Sequence, residues 1–507
     1  MIRLHRLAAL LAVALLSACA TGPGSDSSFN LRLLDDRESG LAYAVRFASE
    51  VPAPGDRAGL FVGIGERYAA LEQGEAAASV RAFAGELIVT SAEGSRVSRP
   101  AVALARAYIE QGSPSRAATL LEAAVARVPA LPTPAARANV LAEIIDISFE
   151  NGDALFDVLR LAIEAVFVVE DLGRRVDILT DAALRYQQQG SRQSANVLIQ
   201  QSIPAAGNID EPWARAAAFA AIAGAYRAIG EEERADRMIA DGIEAARGAD
   251  AAPPAAAARF LSRLIDLGRR LDALDRAEGI ERPQTRAVVL SRIAEGYDTE
   301  ELRSSAFILY ARAVSAAGTV PDAAGRAESY LTVAESYLRY GETQLAVIQA
   351  QNALRSLGRV NATERGPAVL LRLADLFLAA EVPAELEPVA ELAPPAATAR
   401  VSAYIATRAL DAYPDVSVAH LERALAAQAQ RSNRDDEAAL DIARTAARLG
   451  RIDEAIAEVA AMEHARRISE AVTVIGYEAM RAGGLTDAQR VRLEAVYRAY
   501  RQRQRLG

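Results

Sequence analysis

The chain has one cysteine and no lysine among its 507 residues, and it lacks an excess of basic charge. A single cysteine, Cys19, cannot form a disulfide within the chain, so packing alone must stabilise the fold. The 57 arginines are outnumbered by 66 acidic residues, which gives a formal net charge of −9 at pH 7. Because nucleic-acid-binding proteins need a basic face, this charge argues against nucleic acid as a partner.

Sequence motifs of catalysis and metal binding are also missing. The chain contains no H-E-x-x-H, no Walker loop and no G-x-S-x-G. His420 and His464 stand on separate predicted helices without a metal-ligand spacing. Gly63-Ile64-Gly65 lies inside a helical pattern with no preceding strand, which favours helix packing over a phosphate loop. We therefore expect no cofactor, no metal site and no catalytic residue.

The amino terminus has the order of charges and apolar residues that is typical of a secretory signal. Residues 1–6 include two arginines, and residues 7–16 form an apolar run. This run is too short to cross a bilayer, which needs about 20 residues. We therefore expect residues 1–18 to be a signal and not a membrane span.

The string Leu16-Ser17-Ala18-Cys19 at the end of this run resembles the lipobox of bacterial lipoproteins. The resemblance implies cleavage before Cys19 and attachment of several acyl chains there, and two or more chains hold a protein stably on a membrane. Ala20 replaces the aspartate that retains enteric lipoproteins in the inner membrane, so the resemblance favours the outer membrane. Residues 19–28 are small and polar and predict a lipidated, flexible tether. A plain cleaved signal without lipid is the alternative.

From about residue 29 onward the pattern is helical, with apolar residues at steps of three and four and with abundant alanine. Glycines that suit the end of a helix recur at intervals of 38, 40, 38, 40 and 38 residues: Gly74, Gly112, Gly152, Gly190, Gly230 and Gly268. This regularity predicts an all-α solenoid of stacked αα-hairpins. Later turns are spaced less evenly, at Gly341, Glu381, Gly450 and Gly483. We accordingly divide the array into regular repeats over 29–280 and less regular repeats over 281–507.

Several of these turns are flanked by residues that resemble the tetratricopeptide repeat. The clearest copy consists of Val333, Ala334, Tyr337, Gly341, Ala346, Ala350 and Ala353. The resemblance implies that tyrosine fills a gap between small residues and that the array curves into a superhelix. The first helix of each pair would line its concave surface. Because the period exceeds the family's repeat of about 34 residues, we describe the array as tetratricopeptide-like.

The same resemblance, applied position by position, places eight charged side chains on the concave wall: Arg99, Arg106, Glu110, Arg227, Glu335, Arg339, Arg444 and Arg448. Such a lining suits recognition of a peptide or protein segment through charge-assisted hydrogen bonds. The alternative is that these charges only keep exposed helices soluble. The basic segment 490–505 is best interpreted as a terminal capping helix, since terminal repeats need polar exteriors. The alternative is that it binds lipid head groups, an anionic envelope polymer or an acidic partner.

These features favour a non-enzymatic outer-membrane lipoprotein that faces the periplasm. It would be a protein-interaction scaffold for envelope assembly, secretion or regulation of peptidoglycan enzymes, with another envelope protein or peptide segment as its partner. The alternative is an envelope hydrolase acting on peptidoglycan. Ala334-Glu335-Ser336 contains the Glu-Ser pair of lytic transglycosylases, but the Gly-Leu-Met-Gln continuation of that family is missing. The sequence does not indicate an oligomeric state.

Overall fold

The computed structural model describes residues 39–91, 94–247, 252–297, 302–360, 366–431 and 435–506. Within these ranges, every regular element is a helix. None of the helices described is both long and apolar enough to cross a membrane. The predicted signal, the lipid attachment at Cys19 and the predicted tether lie outside the described residues.

The α-helices are, in chain order, α1 (Gly40–Ser49), α2 (Pro54–Ala70), α3 (Gly74–Thr90), α4 (Gly94–Glu110), α5 (Pro114–Arg127), α6 (Pro134–Asn151), α7 (Phe156–Ala165), α8 (Leu172–Gln188), α9 (Arg192–Gly207), α10 (Pro212–Ala228), α11 (Glu232–Ala245), α12 (Pro254–Asp266), α13 (Arg270–Glu278), α14 (Pro283–Glu295), α15 (Arg303–Gly318), α16 (Ala323–Arg339), α17 (Thr343–Leu357), α18 (Pro367–Ala379), α19 (Leu386–Glu391), α20 (Thr398–Ala409), α21 (Pro414–Ala429), α22 (Asp436–Arg448), α23 (Ile452–Ala461), α24 (Ala465–Arg481) and α25 (Asp487–Leu506).

The helices from α2 to α23 form consecutive pairs, α2 with α3, α4 with α5 and so on to α22 with α23. We call the even-numbered members, including α24, the first helices, and the odd-numbered members the second helices. Each first helix contacts the first helix of the next pair, and contacts between pairs are otherwise confined to neighbours in most of the array. The predicted all-α array of stacked hairpins is confirmed.

A left-handed residue ends most first helices, as the spacing of glycines predicted. Eight of the predicted turn residues have positive φ: Gly112, Gly152, Gly190, Gly230, Gly268, Gly341, Gly450 and Gly483. Glu381, the one predicted turn residue that is not a glycine, also has a positive φ, at 59°. The prediction was wrong at Gly74, which begins α3, because the left-handed residue of that turn is Glu72 with a φ of 59°.

Replacing Glu72 with glycine is expected to raise the free energy of unfolding by about 1 kcal/mol, because a left-handed conformation costs an L-residue about 1–2 kcal/mol. Urea-induced unfolding followed by circular dichroism measures the change. Gly230→Ala is the matched opposite variant, since Gly230 has a φ of 78° and a Cβ there would meet nothing within 4 Å. A Glu72→Gly protein less stable than the parent would contradict the turn geometry.

Tyrosines and small residues pack together within the pairs, as the tetratricopeptide resemblance implied. Tyr226 and Tyr337 are buried at 3% and 5% exposure, and Ala334, Ala346 and Ala350 have no exposed surface. Because most helix contacts lie within one pair or between neighbouring pairs, the buried core follows the array.

The two ends of the array meet and close it into a ring. Helix α1 packs against α24 in the manner of a second helix, and it also contacts α2. The first helix α24 contacts α2 in turn, so twelve first helices form an unbroken circle in the part of the chain described. The sequence pattern predicted the curvature but gave no sign of closure. We call the junction of α24, α1 and α2 the seam.

Glycines allow the closest approach at the seam. A Cβ on Gly476 would stand 2.4 Å from the carbonyl oxygen of Gly40, and a Cβ on Gly40 would stand 2.6 Å from that of Gly476. Real Cβ atoms do not approach backbone this closely, so only glycine at both positions permits this contact. The backbones of α1 and α24 therefore touch directly.

Helix α25 covers the seam from outside. The ring of Phe47 in α1 lies 5.1 Å from Tyr497 and 5.4 Å from Tyr500 between centroids. Arg46 donates to Glu494 at 2.9 Å, and the Tyr497 hydroxyl donates to Glu50 at 2.9 Å. The predicted capping helix thus seals a junction between the two ends of the chain.

Candidate functional site: the inner face of the ring

The first helices line the inside of the ring. Arg263 in α12 donates to Asp177 in α8 at 2.8 Å and to the carbonyl of Ala217 in α10 at 2.7 Å. A side chain can reach past an intervening helix only where the helices converge, so this side of the first-helix layer is concave. We call it the inner face.

Ion pairs join neighbouring first helices along the inner face. Each pair spans about one repeat in sequence and links two successive first helices: Arg106–Glu143, Arg185–Asp146, Arg339–Glu295, Arg372–Glu335, Arg408–Asp375 and Arg400–Glu437. Most of these side chains are partly solvated, so each pair contributes at most about 1 kcal/mol. Their common effect is to neutralise most of the charge that this surface presents.

Six of the eight side chains predicted for the concave wall form ion pairs, and four of these pairs join neighbouring first helices: those of Arg106, Glu335, Arg339 and Arg444. Arg227 pairs with Glu232 on the second helix α11, and Arg448 pairs with Asp411 in the turn after α20. Arg99 and Glu110 form none with the described residues. The eight do not form one site, since they are distributed over α4, α10, α16 and α22. Among the described residues, Arg99 and Arg444 line one cavity together.

That cavity lies at the seam and has a volume of about 340 Å³. Every residue that lines it belongs to a first helix, namely α2, α4, α22 or α24. A second cavity of about 390 Å³ adjoins it and extends along α4 to α6. The two share Gly59, Arg99, Pro100 and Arg466. We call the two together the seam cavity.

Glycines on α2 give the seam cavity its shape. Gly55, Gly59 and Gly63 follow at steps of four residues and therefore lie along one side of the helix. A Cβ on Gly55 would stand 2.5 Å from the Cβ of Arg96, so this glycine lets α4 approach α2. Gly63, part of the string that could suggest a phosphate loop, is helical, as expected from the sequence, and it lines the cavity.

Five arginines and two carboxylates line the seam cavity: Arg67, Arg96, Arg99, Arg444 and Arg466, with Asp56 and Glu470. Asp56 accepts from Arg96 at 2.7 Å and from Arg466 at 3.2 Å. Glu470 accepts from Arg466 at 2.9 Å and lies 3.9 Å from Arg444. The cavity is therefore positive within a chain that is negative overall.

Two of these arginines have no carboxylate partner among the described residues. Arg67 donates only to the carbonyl of Gly63, at 3.0 Å, and Arg99 is exposed without a partner. Burial lowers the pKa of the Arg67 guanidinium; the carboxylate of Glu66 acts against this shift, and the positive charge of Arg444 acts with it. The seam cavity thus holds positive charge that the described part of the protein leaves unpaired.

Sequence reasoning missed Arg67 and Arg466. Their helices, α2 and α24, lie outside the good tetratricopeptide copies, and the two residues come together only through ring closure. The available signal was the row of glycines at Gly55, Gly59 and Gly63 in a first helix, because three missing side chains on one helix side leave space.

His420 and His464 belong to no cluster of potential metal ligands in the described part of the chain. His464, which directly precedes α24, has an exposed ring whose Nδ1 lies 2.6 Å from the carboxylate of Asp436, the first residue of α22. His420 is buried in α21 with 3% of its side chain exposed, and burial lowers its pKa. Both are thus explained by helix packing and helix termination.

Lowering the pH from 7 to 5 is expected to destabilise the protein in part through His420. The pKa of His420 is lower in the folded protein than in the unfolded chain, where a histidine takes up a proton near pH 6.5. His420 therefore contributes stability that is present above this pH and is lost as the pH falls below it. His420→Leu should therefore flatten the dependence of the unfolding free energy on pH. Urea titrations at several pH values measure it, and an unchanged slope would contradict the assignment.

Glu335, the residue of the hydrolase alternative, is held by a bidentate ion pair. Its two carboxylate oxygens accept from Arg372 at 2.9 and 2.8 Å, across α16 and α18. A fork of this kind holds the carboxylate in one orientation against α18. Glu335 thus has the surroundings of a structural residue of the inner face.

Most arginines of the predicted basic terminal helix have partners inside the protein. In α25, Arg492 pairs with Asp453 at 2.8 Å, Arg501 with Glu50 at 3.1 Å, and Arg503 donates to the carbonyl of Met462 at 3.0 Å. These contacts fit the interpretation of α25 as a covering helix.

No family model matches the chain, and no curated protein matches it. Solved structures that are similar include Ton1535 from Thermococcus onnurineus NA1, at 15% identity over 74% of this chain and 99% of that one, with a TM-score of 0.27. A second is PH0952 from Pyrococcus horikoshii, a signal transduction ATPase with a tetratricopeptide repeat sensor. It has 14% identity over 72% of this chain and 54% of its own, with a TM-score of 0.23.

A third similar structure is the Cut9–Hcn1 hetero-tetramer of the APC/C, at 13% identity over 86% of this chain and 92% of that one, with a TM-score of 0.21. TM-scores this low carry no argument about function or detailed geometry. The description of the fold therefore depends on the helix contacts of this chain itself, which define a tetratricopeptide-like helical array.

Proposed function

We propose that the protein is a non-enzymatic interaction scaffold whose ring binds a segment of a partner protein on its inner face, at the seam cavity. The observation that carries the proposal is the unpaired positive charge of this cavity on an inner face that ion pairs otherwise neutralise. Apolar side chains lie beside the arginines, among them Leu60, Val62 and Val140. A mixed lining of this kind suits a peptide segment, which has both a backbone and side chains to bind.

The proposal includes attachment to the bacterial outer membrane through lipid on Cys19, with the ring in the periplasm. The resemblance of Leu16-Ser17-Ala18-Cys19 to a lipobox supports it. Helix α1 begins at Gly40, so the ring would start about 20 residues after the anchor, and the chain would enter it at the seam. Envelope assembly, secretion and regulation of peptidoglycan enzymes are the processes in which such a scaffold would act.

Photo-crosslinking in intact cells tests the binding surface. A crosslinking amino acid replaces Ala103, which is exposed in the seam cavity, or Leu271, which is 82% exposed on the second helix α13. We expect a discrete adduct of higher mass from position 103 and none from the control position 271. Equal adducts from both positions, or none from position 103, would argue against binding at the inner face.

Two further measurements test the anchor and the absence of catalysis. Cys19→Ser should move the protein out of the outer-membrane fraction or leave it uncleaved, and unchanged fractionation with unchanged mobility would disprove lipidation. Purified protein should give no clearing band on a peptidoglycan zymogram. A clearing band that Glu335→Gln abolishes would favour the hydrolase instead.

A further inference from the structure

The seam cavity is built by both ends of the chain. Arg67 and Arg99 come from α2 and α4 at the start of the array, whereas Arg444 and Arg466 come from α22 and α24 at its end. These arginines face each other only because the ring is closed. Any ligand that contacts both sets therefore joins the two ends.

Like charges oppose each other across this junction. The charge of Arg444 acts unfavourably on Arg67, which is half-buried and forms no ion pair with the described residues. The carboxylate of Glu66 offsets part of this repulsion from a longer distance. Glu470 and Asp56 compensate Arg444 and Arg466 but do not pair with Arg67 or Arg99. An anionic group placed between them would attract both sides of the seam, and in a half-buried site this attraction is only weakly screened.

The shape of the cavity indicates what carries the anionic group. Guanidinium groups bind carboxylates in a planar, bidentate geometry. The two lobes, of about 340 and 390 Å³, extend from α24 to α6 and include Leu60, Pro100, Leu131 and Val140. Among the described residues, no aromatic side chain lines either lobe, so bases of a nucleic acid would find no stacking surface. An extended peptide with an acidic residue beside apolar residues would match the lining of both lobes.

We propose that the seam cavity binds an acidic segment of the partner protein, with a carboxylate between Arg67 and Arg99, and that this binding holds the ring closed. The inference rests on the proposed function and adds to it the chemistry of the partner and a coupling between binding and ring closure. A ligand that binds only the closed ring must stabilise it in proportion to its binding.

Selection from two peptide libraries tests the chemistry. Capped nonapeptides with random flanks carry a fixed glutamate at the centre in one library and glutamine in the other, and both are applied to the purified full-length protein. We expect enrichment from the glutamate library only, with apolar residues beside the glutamate. Equal enrichment from both libraries, or none, would overturn the proposal.

Variants locate the site of the selected peptide. Arg99→Gln is expected to weaken its binding about tenfold, since a hydrogen bond between a guanidinium and the carboxylate of the peptide is lost. Arg106→Gln is the matched control, because Arg106 lies on the same helix outside the cavity and pairs with Glu143 at 3.2 Å. Equal effects of the two variants would overturn the assignment, as would inorganic phosphate competing with the peptide at equal concentration.

Hydrogen exchange tests the coupling. The peptide should raise the protection of residues 40–49 at the seam, and Arg99→Gln should remove that increase, whereas Arg106→Gln should keep it. Binding without added protection in α1 would disprove the coupling. The outcomes separate the two proposals. A crosslinked adduct at position 103 without enrichment of glutamate peptides would disprove this inference and leave the proposed scaffold function standing. Absence of both the adduct and the enrichment would disprove the proposed function.

Discussion

Phe47→Ala is expected to open the ring and to lower the free energy of unfolding by about 3–5 kcal/mol, the usual cost of deleting a buried aromatic side chain. Phe47 has no exposed surface and packs against Tyr497 and Tyr500 at 5.1 and 5.4 Å. These contacts join α1 to α25 and so hold α1 in place between α24 and α2. Loss of the contacts should leave α24 without its partner helix and α2 without its neighbour.

Hydrogen exchange and denaturant unfolding measure the effect. Protection should fall in α1, α2 and α24 and stay unchanged on the far side of the ring, in α10 to α14. Phe47→Leu keeps an apolar side chain and should cost clearly less. An equal loss of protection around the whole ring would mean that the seam is not the weak point of the structure.

Gly476→Ala tests the same junction without removing a core residue. Its Cβ would meet the backbone of Gly40, and overpacking of this kind costs about 1–3 kcal/mol. Gly224→Ala in α10 is the matched control, because its Cβ would meet nothing within 4 Å. A methyl group there should stabilise the helix by about 0.5–1 kcal/mol. Similar effects of the two variants would refute the close contact at the seam.

Tyr310→Ala is the second substitution with a large expected effect, again about 3–5 kcal/mol. Tyr310 in α15 is fully buried, stacks on Tyr337 with ring centroids 4.1 Å apart, and donates to the carbonyl of Ser336 at 3.2 Å. Removing the ring leaves a cavity between α15 and α16. It also removes one of the two hydrogen bonds that the Ser336 carbonyl accepts, the other being from the Tyr340 N–H at 3.0 Å. The midpoint of urea unfolding measures the loss.

Tyr310→Phe separates packing from hydrogen bonding. It keeps the stacked ring and removes only the hydroxyl, so the loss should be about 1 kcal/mol. Burial raises the pKa of Tyr310 well above its usual range, so the hydroxyl stays protonated and able to donate at any pH at which the protein is folded. If Tyr310→Phe cost as much as Tyr310→Ala, the hydrogen bond and not the stacking would dominate.

The helix pairs could be predicted from the sequence because their determinants are local. A left-handed turn needs glycine, so Gly112 and Gly230 mark turns that the structure confirms. The first turn was misplaced because Glu72 takes the strained conformation while Gly74, two residues later, begins the next helix. A prediction that uses glycine as the sign of a turn cannot identify a left-handed residue that is not glycine.

Ring closure could not be predicted because its contacts are remote in sequence. Arg46 and Glu494 are separated by 448 residues, and the glycines that meet at the seam resemble the small residues of every other pair. For the same reason, only part of the seam cavity could be predicted from the sequence. Arg99 and Arg444 were found through the repeat motif, whereas Arg67 and Arg466 belong to the cavity only because the first and last pairs are neighbours.

Closure also fixes how many hairpins this architecture can contain. An open solenoid can gain or lose a unit at either end without changing the remaining ones. Twelve first helices in a circle require an average rotation of about 30° at each step. An inserted or deleted unit would force every interface to a new angle or leave a gap at the junction. We therefore expect this ring to tolerate the gain or loss of a unit less well than an open solenoid does.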